Sequence, residues 1–263
     1  MLHHKTYEIG PDRDWVVFVH GAGGSSSVWF RQLRAYREEF NVVLVDLRGH
    51  GGSARLRDGR EHKPYTFEAV SREVVEVLDH LGIERAHFVG ISLGSLIART
   101  IADIAPDRVA SLVLGGAVVR LNVRSRILVA LGNALKRVVP FMWLYRLFAW
   151  IIMPRERHRE SRLLFVREAR KLARKEFLRW FRMTMELKPI LRLFEERETH
   201  VPTLYLMGEE DHMFLPTARQ LAAKHANAVL GVIERAGHVC NVDQPAAFNR
   251  VSIDFLRDPA AAI

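Results

Sequence analysis

A serine framed by two glycines, Gly90-Ile91-Ser92-Leu93-Gly94, stands directly after a short apolar run at residues 86–89 and directly before a helical pattern. A nucleophile on a tight strand-to-helix turn needs such neighbours: the glycines let the backbone pack closely while Ser92 is held in a strained, exposed position. Its hydroxyl would then sit at a helix N-terminus, where the dipole favours developing negative charge. Stripped of its flanks, the same pentapeptide is only a Gly/Ser turn that caps a helix. A serine hydroxyl is a poor nucleophile near neutral pH, so this chemistry also requires a histidine base and a carboxylate that fixes the histidine's tautomer. Asp211, reached through Gly208-Glu209-Glu210, and His238, reached through Ala236-Gly237, each follow a predicted strand. Asp211 could instead cap the next helix, leaving Glu209 or Glu210 as the acid, and His238 could make only a structural hydrogen bond. A third constellation, His20-Gly21-Ala22-Gly23-Gly24-Ser25, ends the first strong strand. Acyl transfer creates an oxyanion, and the backbone N–H groups of Ala22 and Leu93 are the expected donors to it. His20 reads as a structural residue of that turn.

Elements that could position these residues alternate along the chain. Short apolar runs at 15–20, 41–47, 86–89 and 111–115 are separated by helical patterns at 28–40, 67–81 and 96–105. Strand-helix alternation implies parallel strands with crossover helices, hence a doubly wound sheet whose sites lie at the C-terminal strand ends. Residues 118–198 break the rhythm: they read as nearly continuous helix interrupted at Pro140, Pro154 and Pro189. Alternation resumes with strands at 202–207 and 229–235 and helices at 217–225 and 245–256. The expected organisation is one α/β core, residues 1–117 and 199–263, carrying a helical cap at 118–198.

The same Gly21-Ala22-Gly23, with Asp46 ending the next run, partly imitates a dinucleotide-binding fingerprint. Ser26 stands where its third glycine would be, and that reading leaves Ser92, Asp211 and His238 as coincidences. No His or Cys pairing has metal-ligand spacing, so no metal is expected.

Together these residues resemble the α/β-hydrolase superfamily, particularly its small, capped, esterase-like members, from about residue 7 to 257. His20-Gly21-Ala22-Gly23 is similar to the family's HGxG turn, and Asp46-Leu47-Arg48-Gly49-His50-Gly51-Gly52-Ser53 to its DxRGxGxS segment. Gly90–Gly94 is similar to the nucleophile elbow, Gly208 to Asp211 to the acid loop, and Gly237-His238 with Asp243-Gln244-Pro245 to the histidine loop. Ser95 stands where many relatives have glycine, and Pro216 comes one residue later than is common, departures that touch no triad position. The resemblance implies an α/β-hydrolase fold with a mostly parallel, doubly wound sheet of about eight strands. It further implies hydrolysis through an acyl-enzyme without a cofactor.

Composition bounds the rest. The 263 residues are 49% hydrophobic, with a single cysteine, Cys240, so no internal disulfide can form. The N-terminus lacks the apolar stretch of a secretory signal, and a cytoplasmic protein is the expectation. The net charge of +9 is uneven: residues 118–198 hold twenty of the 39 Lys/Arg but eight of the 30 Asp/Glu. No nucleic-acid motif accompanies that charge, so nucleic acid is not an expected partner, whereas weak contact with an anionic membrane is compatible with it. Within the cap, Phe141, Trp143, Tyr145 and Phe148 are expected to line an apolar acyl pocket. The first functional reading is hydrolysis of a small or medium, mainly apolar carboxylic ester. Lactone hydrolysis, carbon–carbon bond hydrolysis or a lyase reaction on the same triad, and slow-turnover ligand sensing through the cap are the alternatives. Oligomeric state is not legible.

Overall fold

The computed structural model describes residues 1–55, 64–135 and 138–263; Lys136 and Arg137 of the basic segment lie outside the described residues. The strands are β1 His4–Tyr7, β2 Trp15–Val19, β3 Asn41–Val45, β4 Ala86–Ile91, β5 Val109–Gly115, β6 Thr203–Gly208 and β7 Ala228–Ile233. They form one sheet in the order β1-β3-β2-β4-β5-β6-β7. Only β1 runs antiparallel, against β3, and every other neighbouring pair is parallel. The α/β-hydrolase fold expected from the sequence is therefore present, with seven strands among the described residues where about eight were expected. Residues 8–14, including Gly10 and Pro11, turn from β1 into β2. Asn41 pins that turn, accepting from the Ile9 N–H at 2.7 Å and donating to the Gly10 and Arg13 carbonyls.

Both faces of the sheet are covered, which explains why its strands read as apolar runs rather than alternating ones. In β2, Val17 and Val19 point into one core cluster while Val16 and Phe18 point into the other, and all four are fully buried. Each such side chain contributes roughly 1.5–3 kcal/mol by leaving water. Helices α1 Phe30–Tyr36, α2 Phe67–Leu81 and α3 Leu93–Ile104 cover the sheet. The span of α2 is set by chemistry at both ends: the Thr66 hydroxyl accepts from the Ala69 N–H at 3.0 Å, and Gly82 closes the helix at φ 67°. Its Val70, Val74, Val77 and Leu78 recur at helical spacing on the buried face.

Between β5 and β6 the described residues form five α-helices and no strand: α4 Val123–Leu135, α5 Phe141–Ile152, α6 Arg159–Ala169, α7 Arg174–Arg182 and α8 Leu187–Glu196. Pro140 precedes α5, Pro154 follows it, and Pro189 stands in the first turn of α8, where a backbone N–H has no helical partner to lose. After β6 the chain completes the core with α9 Leu215–Lys224, α10 Cys240–Asp243 and α11 Pro245–Arg257. Among the described residues no helix is long and apolar enough to cross a membrane.

The segment after β3 is held by ionic contacts inside the core. Asp46 accepts from the backbone N–H of Ser26 at 2.7 Å and of Gly52 at 2.8 Å. Burial works against its charge, yet those donors hold its carboxyl below the usual range. Arg48 and Glu73, both nearly inaccessible, form a bidentate pair through Arg48 Nε at 3.0 and 2.9 Å, and the guanidinium also donates to the Pro64 carbonyl. Removing one partner leaves the other charge buried. Glu73→Ala is therefore expected to destabilise the protein by about 3–5 kcal/mol in urea melts, while Glu68→Ala, on the exposed face of α2, costs under about 0.5 kcal/mol.

Candidate active site

The turn from β4 into α3 brings Ser92 to φ 55° and ψ −117°, a positive φ that non-glycine residues seldom adopt. The flanking glycines are required by approach distance. A Cβ on Gly90 would lie 2.4 Å from the Gly94 carbonyl oxygen, and one on Gly94 would lie 2.0 Å from that of Val19. The turn is anchored by the Ser92 N–H on the Gly115 carbonyl at 2.9 Å and by the Ser95 hydroxyl on the Ser92 carbonyl at 2.6 Å. Ser95, where relatives often carry glycine, thus adds a hydrogen bond to the elbow.

Ser92 Oγ lies 2.9 Å from His238 Nε2, and His238 Nδ1 lies 2.8 Å from Asp211 Oδ2. The three residues come from the ends of β4, β6 and β7, neighbouring regions of one sheet edge. Asp211 is fully buried, and its second oxygen accepts from the backbone N–H of Met213 at 3.2 Å and Phe214 at 3.0 Å. It thus caps the turn leading into α9 and meets the histidine with its other oxygen, so the two readings of Asp211 in the sequence are compatible. Glu209 and Glu210 are committed elsewhere. Glu209 accepts from the Arg235 N–H, and Glu210 pairs with Arg155, Arg157 and His158.

The Gly21 to Ser25 turn lies across from the elbow. Neither the Ala22 nor the Leu93 backbone N–H makes a hydrogen bond among the described residues, and both residues line the cavity that contains Ser92. Two buried histidines brace this turn. His20 Nε2 accepts from the Leu47 N–H at 3.0 Å and Nδ1 faces the Gly21 carbonyl at 2.8 Å, the structural role expected of it. His50 Nε2 accepts from the Gly23 N–H at 3.0 Å while Nδ1 faces the Arg48 carbonyl.

Burial lowers the pKa of His20 and, with help from the neighbouring His20, pushes that of His50 down to about 3. The folded state therefore keeps these rings neutral while the unfolded chain takes up protons near pH 6.5. For His50 this stability is fully present above pH 6.5 and is lost as pH falls toward 3, by about 1.4 kcal/mol per pH unit, and His20 adds a loss of the same sign. Thermal melts are expected to show Tm falling across this window, and His50→Gln, which keeps an acceptor for the Gly23 N–H and does not titrate, is expected to flatten the slope.

A cavity of about 250 Å³ opens over Ser92 and His238. Tyr145 and Phe148, two of the four pocket residues expected from the sequence, line it; the other two do not. Trp143 is 68% exposed on the outer side of α5, and Phe141 packs on Phe177 and Tyr145 within the aromatic cluster of the inserted helices. The physical reason is that α5 is apolar at every position but Arg146, so helical period alone does not separate its inner face from its outer one. Much of the wall comes from residues outside that set, notably Leu164 and Phe165 of α6 and Phe177, Trp180 and Phe181 of α7. Trp180 also donates from Nε1 to the Arg48 carbonyl at 2.9 Å, joining the 46–53 turn to the pocket wall.

Two polar ties between the inserted helices and the core escaped sequence reasoning because their partners are far apart in the chain. Glu168 accepts from the Ser25 hydroxyl at 2.9 Å, beside the Ala22 turn, and from Lys171; despite burial, these donors hold its pKa below the ordinary value. His158 Nε2 meets Glu210 at 2.8 Å, next to Asp211, and Ser161 donates to Asp243, which accepts from the Gly237 N–H at 2.8 Å. Cys240 is fully buried and burial raises its thiol pKa, the character of an inert structural cysteine.

Comparison with known proteins agrees with this architecture. A family model described as "Alpha/beta hydrolase family" matches residues 16–251. A protein from Caulobacter sp. (strain K31), named a candidate carbamate hydrolase, RutD, is 30% identical over 275 residues, covering 99% of this chain and 97% of its own. Among solved structures, the enol-lactonase from Burkholderia xenovorans LB400 superposes with a TM-score of 0.77 at 25% identity, covering 98% of this chain and 96% of its own. A hydrolase from Pseudomonas aeruginosa PA01 gives a TM-score of 0.78 at 25% identity, over 97% and 94% of the two chains. With the family model spanning most of its length and these relatives matched nearly end to end, the chain belongs to the alpha/beta hydrolase family.

Proposed function

We propose that Ser92, His238 and Asp211 form a catalytic triad hydrolysing a small to medium, mainly apolar carboxylic ester. The observation that carries this reading is the unbroken run from Ser92 Oγ through the two ring nitrogens of His238 to Asp211, opening on an apolar cavity. In the first half-reaction Ser92 Oγ attacks the ester carbonyl carbon while its proton passes to His238 Nε2. The carbonyl oxygen becomes an oxyanion facing the N–H groups of Ala22 and Leu93. As the carbon–oxygen bond to the alcohol breaks, His238 returns the proton to the departing oxygen and Ser92 is left acylated. Water then attacks the acyl carbon, giving its proton to His238; collapse releases the carboxylic acid and restores the Ser92 hydroxyl.

In this reading helices α4–α8 are a cap that roofs the pocket. Apart from Ser92, His238, Ser161, Glu168 and Thr184 the lining is apolar or glycine, with eight aromatic and aliphatic side chains from α5, α6 and α7, which suits an acyl chain or ring better than a small polar carbamate. The enol-lactonase likeness favours a lactone as the second reading, since a cyclic ester undergoes the same two half-reactions without losing its alcohol.

Initial rates on p-nitrophenyl esters of increasing acyl length, with wild type and Ser92→Ala side by side, test the proposal. The expected result is Ser92-dependent turnover in which kcat/KM rises by about four-fold per methylene until the cavity is filled, then falls. Wild-type turnover of γ- or δ-lactones but of no open-chain ester would select the lactone reading. Turnover that survives Ser92→Ala would overturn both.

A further inference from the structure

The outer side of the inserted helices carries an apolar face that the reaction does not use. On α5, Trp143, Leu147 and Trp150 follow one another at i, i+4 and i+7, with the two tryptophans 68% and 63% exposed. On α4, Val123, Ile127 and Leu131 repeat at i, i+4 and i+8, Val123 and Ile127 being 70% and 63% exposed. The two helices pack on each other where Gly132 of α4 leaves room for Phe148 of α5; a Cβ there would lie 2.8 Å from the Phe148 ring. Exposed apolar residues on adjacent helices form a surface of the kind that marks an interaction site rather than the scattered ones normal for a monomer.

Charge identifies the occupant. Arg120, Arg124, Arg126 and Arg146 are exposed around this face, and none forms an ion pair among the described residues. The surrounding segment carries twenty Lys/Arg against eight Asp/Glu. A second copy of this chain docking through the same face would bring unneutralised arginines against arginines, whereas an anionic lipid surface would neutralise them. Outward tryptophans and leucine beside arginine are the composition of a helix lying in a membrane interface, with rings at headgroup depth and guanidinium groups among phosphates. Among the described residues no helix is long enough to span, so contact would be lateral.

The inner side of α5 connects this face to the pocket. Tyr145, Phe148 and Ile152 line the cavity over Ser92 while Trp143, Leu147 and Trp150 face outward, so a single helix, about 10 Å across, separates the two. We propose that the outer face of α4 and α5 docks on anionic phospholipid, placing the roof of the apolar pocket at the depth where lipophilic substrates partition.

Sedimentation of the full chain with vesicles of phosphatidylcholine alone, or with about one third phosphatidylglycerol, tests the docking. Binding is expected to the anionic vesicles, at least about ten-fold above that to neutral ones, and to weaken as salt is raised. The pair Ile127→Ser and Trp150→Ser, and separately Arg124→Glu with Arg126→Glu, should each lower partitioning at least about ten-fold. Both variants should keep wild-type circular dichroism and wild-type rates on a short soluble ester. Ser92→Ala should bind vesicles as the wild type does, so failure of the hydrolytic reading would leave this result standing. Absence of binding to anionic vesicles, binding insensitive to both variants, or concentration-dependent self-association abolished by Ile127→Ser and Trp150→Ser in the absence of lipid uptake would each overturn the proposal.

Discussion

Ser92→Ala and His238→Ala are each expected to lower kcat by on the order of 10⁴–10⁶-fold, and the double variant to be little worse than either. At 2.9 Å from His238 Nε2, the Ser92 hydroxyl gains nucleophilicity only by handing its proton to that nitrogen, and the water that deacylates Ser92 needs the same nitrogen. Deleting the base therefore removes the use of the nucleophile, and deleting the nucleophile removes the use of the base. What survives in any of the three variants is the contribution of the Ala22 and Leu93 donors and of substrate binding, which none of them touches. KM should change far less than kcat, because neither side chain contributes much to the apolar wall that holds the acyl group. Losses that multiply in the double variant would show that the two residues act independently and would defeat the triad assignment. Pre-steady-state kinetics with excess p-nitrophenyl ester supply the second check, since an acyl-enzyme whose deacylation is the slower step gives a burst of p-nitrophenol equal to the enzyme present.

The parts of this site that could be read in the sequence are those fixed by local geometry. The elbow at Ser92 demands glycine at both flanks because carbonyls of neighbouring strands and turns come within 2.0–2.4 Å of where a Cβ would stand, and that demand leaves a compact signature. The long parallel strands were legible because burial on both faces forces continuous apolar runs, as in Val16 to Val19. By contrast β1, His-Lys-Thr-Tyr, has no such signal: it is an edge strand whose pairing with β3 is made by backbone groups, and its half-exposed side chains need not be apolar. The pocket wall was poorly legible for a different reason. Phe165, Phe177, Trp180 and Phe181 reach the cavity through the packing of α6 and α7 on α5, and such packing depends on helix rotation, which an aromatic-rich sequence leaves open. Trp143 shows the cost of that ambiguity: one residue before the buried Leu144 and two before Tyr145, it faces the opposite way. The ties from Glu168 to Ser25 and from His158 to Glu210 join residues 143 and 52 positions apart, and a single sequence carries no trace of them.

Asp211→Asn is the second large effect, with kcat expected to fall by about 10⁴-fold while the fold and KM are nearly kept. An asparagine side chain is close in size, and its amide oxygen can still accept from the Met213 and Phe214 N–H groups as Asp211 Oδ1 does. The amide NH₂ then faces His238 Nδ1, and a donor there favours the ring tautomer that carries its proton on Nε2, the atom that must accept from Ser92. The charge that would stabilise the imidazolium during attack is lost as well. Glu210→Gln provides the contrast, because its carboxylate faces His158, Arg155 and Arg157 rather than His238. That variant is expected to retain kcat within about ten-fold and to show its effect as a lower Tm, from weakening the tie between α6 and the acid loop. If Asp211→Asn were mild and Glu210→Gln severe, the acid would have to be reassigned to Glu210. The pH profile separates the two cases further: with Asp211 as the partner, Asp211→Asn should recover activity at high pH as hydroxide replaces the lost base, whereas a merely structural aspartate would give a profile of unchanged shape and lower amplitude.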